Sequence, residues 1–138
     1  MISPADRKYI DPAETYGKEI GKAFQIVDDV LDFTGDQERV GKPIGSDLRQ
    51  GIPTLPTIYY GEQHPDDRSL LACLDGTATE EEVDGLIRRI NESGVIDQAL
   101  KEASLCVENA VRILEDFPEC REKVALEELG PFLLNRDL

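Results

Sequence analysis

Three carboxylates fall within five residues at Asp28-Asp29-Val30-Leu31-Asp32, inside an otherwise apolar stretch that runs from Gly21 to Phe33. Aspartate is a mediocre helix former and is rarely buried without a partner. Three aspartates in little more than one helical turn repel each other, and a nearby cation relieves that repulsion. The motif therefore reads as a site for a hard divalent cation, Mg2+ carrying a phosphate ligand. A solvated acidic stripe on an amphipathic helix has the same spacing, so spacing alone leaves both readings open.

The element that must position these acids is written around them. Asp11 suits an N-cap, Pro12 the first helical position, and Glu14 lies three residues past the cap. Gly35 is a natural stop. These signals predict a helix from Pro12 to Thr34. Turning about 100° per residue sorts its side chains into two arcs. Gly17, Lys18, Gly21, Gln25, Asp28, Asp29 and Asp32 share one. Ile20, Ala23, Phe24, Ile26, Val27, Val30, Leu31 and Phe33 share the other. Asp28 and Asp32, one turn apart, can point the same way, while Asp29 sits at the edge of that face. The apolar arc is broad for a surface helix and predicts a central one. Gly17 and Gly21 each lower helix stability by about 1 kcal/mol relative to Ala. Their place on the acidic face makes sense if a ligand or another helix comes close there.

The following stretch, Gly41-Lys42-Pro43-Ile44-Gly45-Ser46-Asp47-Leu48-Arg49-Gln50-Gly51-Ile52-Pro53-Thr54-Leu55-Pro56, holds three glycines and three prolines and cannot be one continuous helix. Lys42 offers a point charge to a phosphate, and Asp47 a further metal or water ligand. A plain connector with both residues in solvent is equally compatible with these residues taken alone.

Taken together, these segments resemble the trans-type isoprenyl (polyprenyl) diphosphate synthases. The Asp28–Asp32 motif is preceded by Phe24-Gln25 and followed by Gly41-Lys42-Pro43-Ile44-Gly45-Ser46-Asp47-Leu48 and Thr54-Leu55-Pro56. That combination looks like the second aspartate-rich motif of the family and its downstream segment. The rest of the chain resembles the family's C-terminal helices. The resemblance implies an all-α helical bundle of the isoprenoid-synthase type. It implies a prenyltransferase of isoprenoid biosynthesis that joins isopentenyl diphosphate to an allylic diphosphate with Mg2+. By family position, Asp28 is the best candidate for direct metal ligation, and Asp29 and Asp32 would ligate the metal or hold its water. Lys42 would contact the diphosphate, Gln25 would line the allylic site, and Asp47 would lie outside the direct ligands.

One half of the family pattern is missing. Asp66-Asp67 is followed by Arg68-Ser69-Leu70 without an acid at the matching place, and Glu80-Glu81-Glu82 does not match either. No first aspartate-rich motif is found, nor are the upstream basic residues that bind isopentenyl diphosphate in the family. The expectation is a single helical domain over residues 1–138 that supplies one wall of an active site and is inactive alone. The apolar arc of the first helix would lack cover and predicts self-association or a partner chain. The alternative is a non-catalytic subunit that lends a half-site to such a partner.

The chain has 138 residues, 40% of them hydrophobic, and a net charge of −14. That is enough for one core, and it argues against bulk disorder, nucleic-acid binding and anionic membrane surfaces. Cys73, Cys106 and Cys120 show no metal-ligand spacing and are expected as reduced, packed thiols of a cytoplasmic protein. No signal peptide or membrane span is read. His64, beside Pro65, reads as surface. Asp66-Asp67 looks like the start of a short helix, and Thr79 with Glu82 forms a capping box that opens a helix to about Asn91. Further helices are expected over Val95–Phe117, Arg121–Leu129 and Phe132–Asn135, with Arg136 near the end as a distant candidate to cover a diphosphate.

Overall fold

A computed structural model describes residues 7–35 and 43–135. Lys42 and Arg136, both singled out in the sequence, lie outside the described residues. A 3-10 turn at Arg7–Tyr9 leads into helix α1, Ile10–Thr34. There follow α2, Ser46–Arg49; α3, Leu55–Gln63; α4, Arg68–Leu74; α5, Glu80–Glu92; α6, Val95–Leu114; and α7, Arg121–Leu134. Among the described residues there is no strand, as expected of an all-α chain. No helix among them is long and apolar enough to cross a membrane.

The contacts divide the chain into two compact units. Among the described residues, one joins residues 7–27 with 101–135, and the other is formed by residues 28–35 and 43–100. In the first unit, Tyr16, Ala110 and Leu114 form a small buried cluster with Ile20, Ile113 and Phe117 packed against it. The Tyr16 hydroxyl donates to the Leu126 carbonyl at 2.8 Å, and burial pushes its phenol up. The second unit has the larger core. Phe33, Leu48, Tyr60, Leu70, Cys73, Val83, Leu86, Ile87, Ile90 and Val95 are all buried in one cluster. Burying a side chain of the Leu or Phe class contributes about 1.5–3 kcal/mol, so this cluster is the main anchor for the end of α1.

Several element boundaries differ from the sequence reading. Helix α1 begins at Ile10, two residues before Pro12, because the 3-10 turn already winds the chain. Asp11 therefore sits in the first turn, where its charge favours the helix N-terminus, rather than at the cap. Helix α3 starts at Leu55 within the segment read as a loop. Thr54 is its N-cap, Thr57 Oγ1 accepts the Thr54 N–H at 2.8 Å, and Pro56 sits in the first turn, where its missing N–H costs nothing. Helix α7 is continuous through Pro131 instead of breaking into two. The neighbouring Gly130 packs close to α6: a Cβ there would meet Val107 Cγ1 at 2.4 Å. The Thr79–Glu82 capping box and the Asp67 cap of α4 are present as expected, with Asp67 accepting the Ser69 N–H.

The wide apolar arc of α1 resolves into a narrower buried stripe. Tyr16, Ala23, Val27, Val30 and Phe33, spaced three, four or seven apart, are buried. Phe24 remains 44% exposed, and Ile20, Ile26 and Leu31 are only partly covered. Of the cysteines, Cys73 and Cys106 are buried, and burial pushes both thiols up. Cys120 is exposed, contrary to the packed-thiol expectation, because it caps α7 and its sulfur accepts the Lys123 N–H. His64 is exposed at the end of α3, its ring 4.5 Å from that of Tyr60.

The turn into α2 depends on Gly45, which has φ 69°. A Cβ there would lie 2.4 Å from Ile87 Cδ1. Gly94 also has positive φ but open space around it. Gly45→Ala is therefore expected to lower stability by about 3 kcal/mol, from the left-handed backbone and the overlap together, against about 1 kcal/mol for Gly94→Ala. Urea unfolding of both variants checks this. Equal losses would show that the fit against Ile87 is not tight.

Candidate functional site

The three aspartates of α1 are sorted by what their carboxylates touch. Asp32 is half-buried. Its Oδ1 accepts the Ser46 N–H at 3.1 Å, its Oδ2 accepts the Asp47 N–H at 3.1 Å, and its main-chain carbonyl accepts the Gly45 N–H at 2.7 Å. Three consecutive backbone N–H groups thus converge on one residue. Asp29 is also half-buried, and its Oδ2 accepts the Leu55 N–H at 3.3 Å, at the start of α3. Asp28 is exposed.

This sorting has a simple origin. Helix N-termini present N–H groups without intrahelical partners and carry partial positive charge. The chain after α1 starts two helices in quick succession, α2 and α3. Asp32 meets the first N-terminus and Asp29 meets the second. Asp28 is the exposed member of the three.

Among the described residues, no group of three or more His, Cys, Asp or Glu side chains is arranged to hold a metal ion. The donor set that is present consists of carboxylate oxygens, the ligand type of Mg2+. Gln25 is exposed on α1 but belongs to the other compact unit. Asp47 is half-buried. Its N–H goes to Asp32 and its carbonyl accepts the Ile52 N–H at 2.9 Å, so its backbone is fixed on both sides.

Two arginines that the sequence reading did not single out hold the surrounding helices together. Arg49, at the end of α2, donates through Nε to the Ile44 carbonyl at 3.0 Å and pairs with Glu80 and Asp84 of α5. Arg89 of α5 donates to the Tyr60 hydroxyl at 3.2 Å, to Asp67 at 3.2 Å and to Ser69 Oγ at 3.0 Å. The Tyr60 hydroxyl donates to Asp67 at 2.8 Å. The side-chain partners of the two arginines lie 20 to 35 positions away in the chain, so no local spacing signals them.

The family model for "Polyprenyl synthetase" matches residues 1–90. This chain belongs to the polyprenyl synthetase family. Among its relatives, the heptaprenyl diphosphate synthase component 2 of Bacillus subtilis is 30% identical over 136 residues, covering 99% of this chain and 39% of the relative. The all-trans-nonaprenyl-diphosphate synthase of Rhodobacter capsulatus is 36% identical over 134 residues, covering 94% of this chain and 40% of the relative. The chain thus spans about two fifths of the length of the curated relatives it matches. The crystal structure of heptaprenyl diphosphate synthase from Staphylococcus aureus superposes with a TM-score of 0.87 at 31% identity, covering 96% of this chain and 42% of that one. A polyprenyl synthase from Caulobacter crescentus, solved with calcium and isoprenyl diphosphate, gives a TM-score of 0.81 at 32% identity over 96% and 41% of the two chains.

The Arg89 cluster ties this fold to pH. Burial alone would raise the Asp67 carboxyl, but the Tyr60 hydroxyl, the Ser69 N–H and the Arg89 guanidinium outweigh it and hold it below its ordinary 3.8. A carboxyl more acidic folded than unfolded stabilises fully above its unfolded value and loses that stabilisation as pH falls through the folded one. Asp67→Asn is expected to lower stability at pH 7 by about 1–3 kcal/mol and to flatten its decline below about pH 4. Denaturant unfolding across pH measures both, and parallel profiles for the two proteins would count against the assignment.

Proposed function

We propose that this chain serves a Mg2+-dependent prenyltransferase of isoprenoid biosynthesis, which condenses isopentenyl diphosphate with an allylic diphosphate. The observation that carries the reading is the exposed Asp28, set in the Asp28–Asp32 motif of a polyprenyl synthetase chain while its two companion acids face backbone N–H groups.

Mg2+ ordinarily takes one or two carboxylates from a protein and completes its octahedron with water and phosphate oxygens. Asp28 fits that demand as the direct ligand, with Asp29 and Asp32 adding negative charge from the same helix. When bound, the ion would neutralise the diphosphate and stabilise it as a leaving group. The residues of the chain have complementary tasks. Lys42 pairs its ammonium with diphosphate oxygens, Gln25 lines the allylic site, and Asp47 stands beyond the direct ligands. In the reaction, the allylic carbon–oxygen bond breaks and its electron pair leaves with the diphosphate. The isopentenyl double bond supplies the pair for the new carbon–carbon bond, and a proton is then lost. The reading includes a cytoplasmic site of action, which the two buried free thiols suit. Relatives from Neurospora crassa and Arabidopsis thaliana are named as mitochondrial and chloroplastic.

A second reading has a specific support. Relatives in Bacillus subtilis and Geobacillus stearothermophilus are named as "component 2". This chain would then lend its acidic helix to a site completed by a partner chain or a second copy, and Phe24 and Ile10, 44% and 53% exposed on α1, offer apolar surface for that contact.

Asp28→Ala is expected to abolish Mg2+-dependent binding of inorganic pyrophosphate in calorimetry while the circular dichroism of the helices is unchanged. Unchanged pyrophosphate binding would remove Asp28 from the metal site. A condensation assay with labelled isopentenyl diphosphate, several allylic diphosphates and Mg2+, with an EDTA control, is expected to show no elongation by this chain alone. Metal-dependent elongation would mean that the 138-residue chain assembles a complete site.

A further inference from the structure

We propose that Arg49 is a positioning residue: its guanidinium holds the Ile44–Asp47 segment beside the Asp28–Asp32 motif, and the acids of α5 hold the guanidinium. The inference deepens the proposed function and rests on it for the link to diphosphate binding.

Helix α2 has four residues, too few to persist on its own backbone bonds. Its shape must be imposed from outside. Arg49 closes one end: its N–H meets the Gly45 carbonyl at 2.9 Å, and its Nε donates to the Ile44 carbonyl at 3.0 Å. Main chain and side chain of one residue thus grip two successive carbonyls. At the front of the segment, the N–H groups of Gly45, Ser46 and Asp47 go to Asp32. The segment is therefore held by the aspartate motif on one side and by Arg49 on the other.

The guanidinium is held in turn by α5. The Arg49 side chain is 21% exposed, against 86% for Glu80 and 60% for Asp84. Ion pairs with acids so exposed add little stability. Their effect here is directional. Nη1 faces Glu80 and Nη2 faces Asp84, one turn apart on α5, and a planar fork gripped at both Nη atoms keeps Nε aimed at Ile44. A lysine carries the same charge on a single nitrogen and cannot meet three groups in fixed directions. Glu81, in the same turn of α5, is exposed and is not among the partners of Arg49.

The sign of one effect separates this role from direct contact with the anion. If Arg49 bound diphosphate itself, Glu80 and Asp84 would compete with the ligand, and removing them would tighten binding. If Arg49 positions the segment, removing them weakens binding.

The test compares the double variant Glu80→Gln/Asp84→Asn, Arg49→Lys, Arg49→Ala and the control Glu81→Gln in the full chain by two readouts. The first is amide hydrogen exchange at Gly45, Ser46 and Asp47. None of these N–H groups bonds to Arg49, so faster exchange reports movement of the segment. The second is the Kd of inorganic pyrophosphate at saturating Mg2+, measured by calorimetry. The double variant is expected to raise both by about threefold relative to Glu81→Gln, as loss of two exposed pairs requires. Arg49→Lys and Arg49→Ala are expected to raise both by about tenfold, as loss of bonds from a charged donor requires.

Unchanged exchange in the double variant and in Arg49→Lys overturns the clamp. Faster exchange with an unchanged pyrophosphate Kd makes Arg49 a stabilising strut alone and overturns its role at the site. Tighter pyrophosphate binding in the double variant than in Glu81→Gln overturns positioning in favour of direct contact. If the wild type binds no Mg2+-pyrophosphate, the proposed function fails and the link to diphosphate with it, while the exchange readout still decides the clamp. Should Arg49→Ala not fold, the double variant of exposed acids carries both readouts.

Discussion

The C-terminal end of α1 is held by hydrogen bonds from elsewhere in the chain. The last four carbonyls of any helix lack partners within it. Here the Leu31 carbonyl accepts the Gly35 N–H, the Asp32 carbonyl accepts the Gly45 N–H, and the Phe33 carbonyl accepts the Asn91 side-chain amide. The Asp32 carboxylate adds the N–H groups of Ser46 and Asp47. One helix end and the N-terminus of the next helix thus satisfy each other. Either end, buried without the other, would leave polar groups unpaired at a cost of about 1–3 kcal/mol each. This reciprocal satisfaction fixes where α2 starts, and through α2 where the chain enters α3.

The same bonds explain how three like charges are tolerated in little more than one turn. Asp32 and Asp29 are directed at N-terminal amides, which carry partial positive charge. Asp28 is exposed, where water weakens the repulsion it feels. Repulsion is relieved by separation and by local partners. The net charge of −14 is handled in a related way. Arg49 and Arg89 are both committed to acids within the second unit, Glu80 and Asp84 for one and Asp67 for the other. These arginines act as struts between helices, and the basic charge available to an anionic ligand must come from other residues.

Packing and polar satisfaction are coupled at two further points. Buried Lys123 donates to the Phe117 carbonyl and to Glu119 just ahead of α7, so that its ammonium is paired where its stem is covered. Tyr60, buried in the main core, keeps its hydroxyl bonded to Asp67 and Arg89. In each case an apolar body reaches the core and a polar tip finds a partner at its edge, which sets the register of neighbouring helices more narrowly than apolar contact would.

The sequence by itself determined the all-α class, the family and most of the described helices, and it set out the aspartate motif. Those properties are local: 3.6-residue periodicity, caps such as Thr79 with Glu82 and Asp67 with Ser69, and a contiguous run from Phe24 to Asp32 all lie within a few residues. What only the tertiary structure decided was the difference between chemically identical side chains. Asp28, Asp29 and Asp32 are the same residue type on one helix, and their surroundings diverge because Leu55, Ser46 and Asp47 come back to two of them from 14 to 26 positions away. Distance along the chain, and not strength of interaction, separated what could be read from what had to be seen.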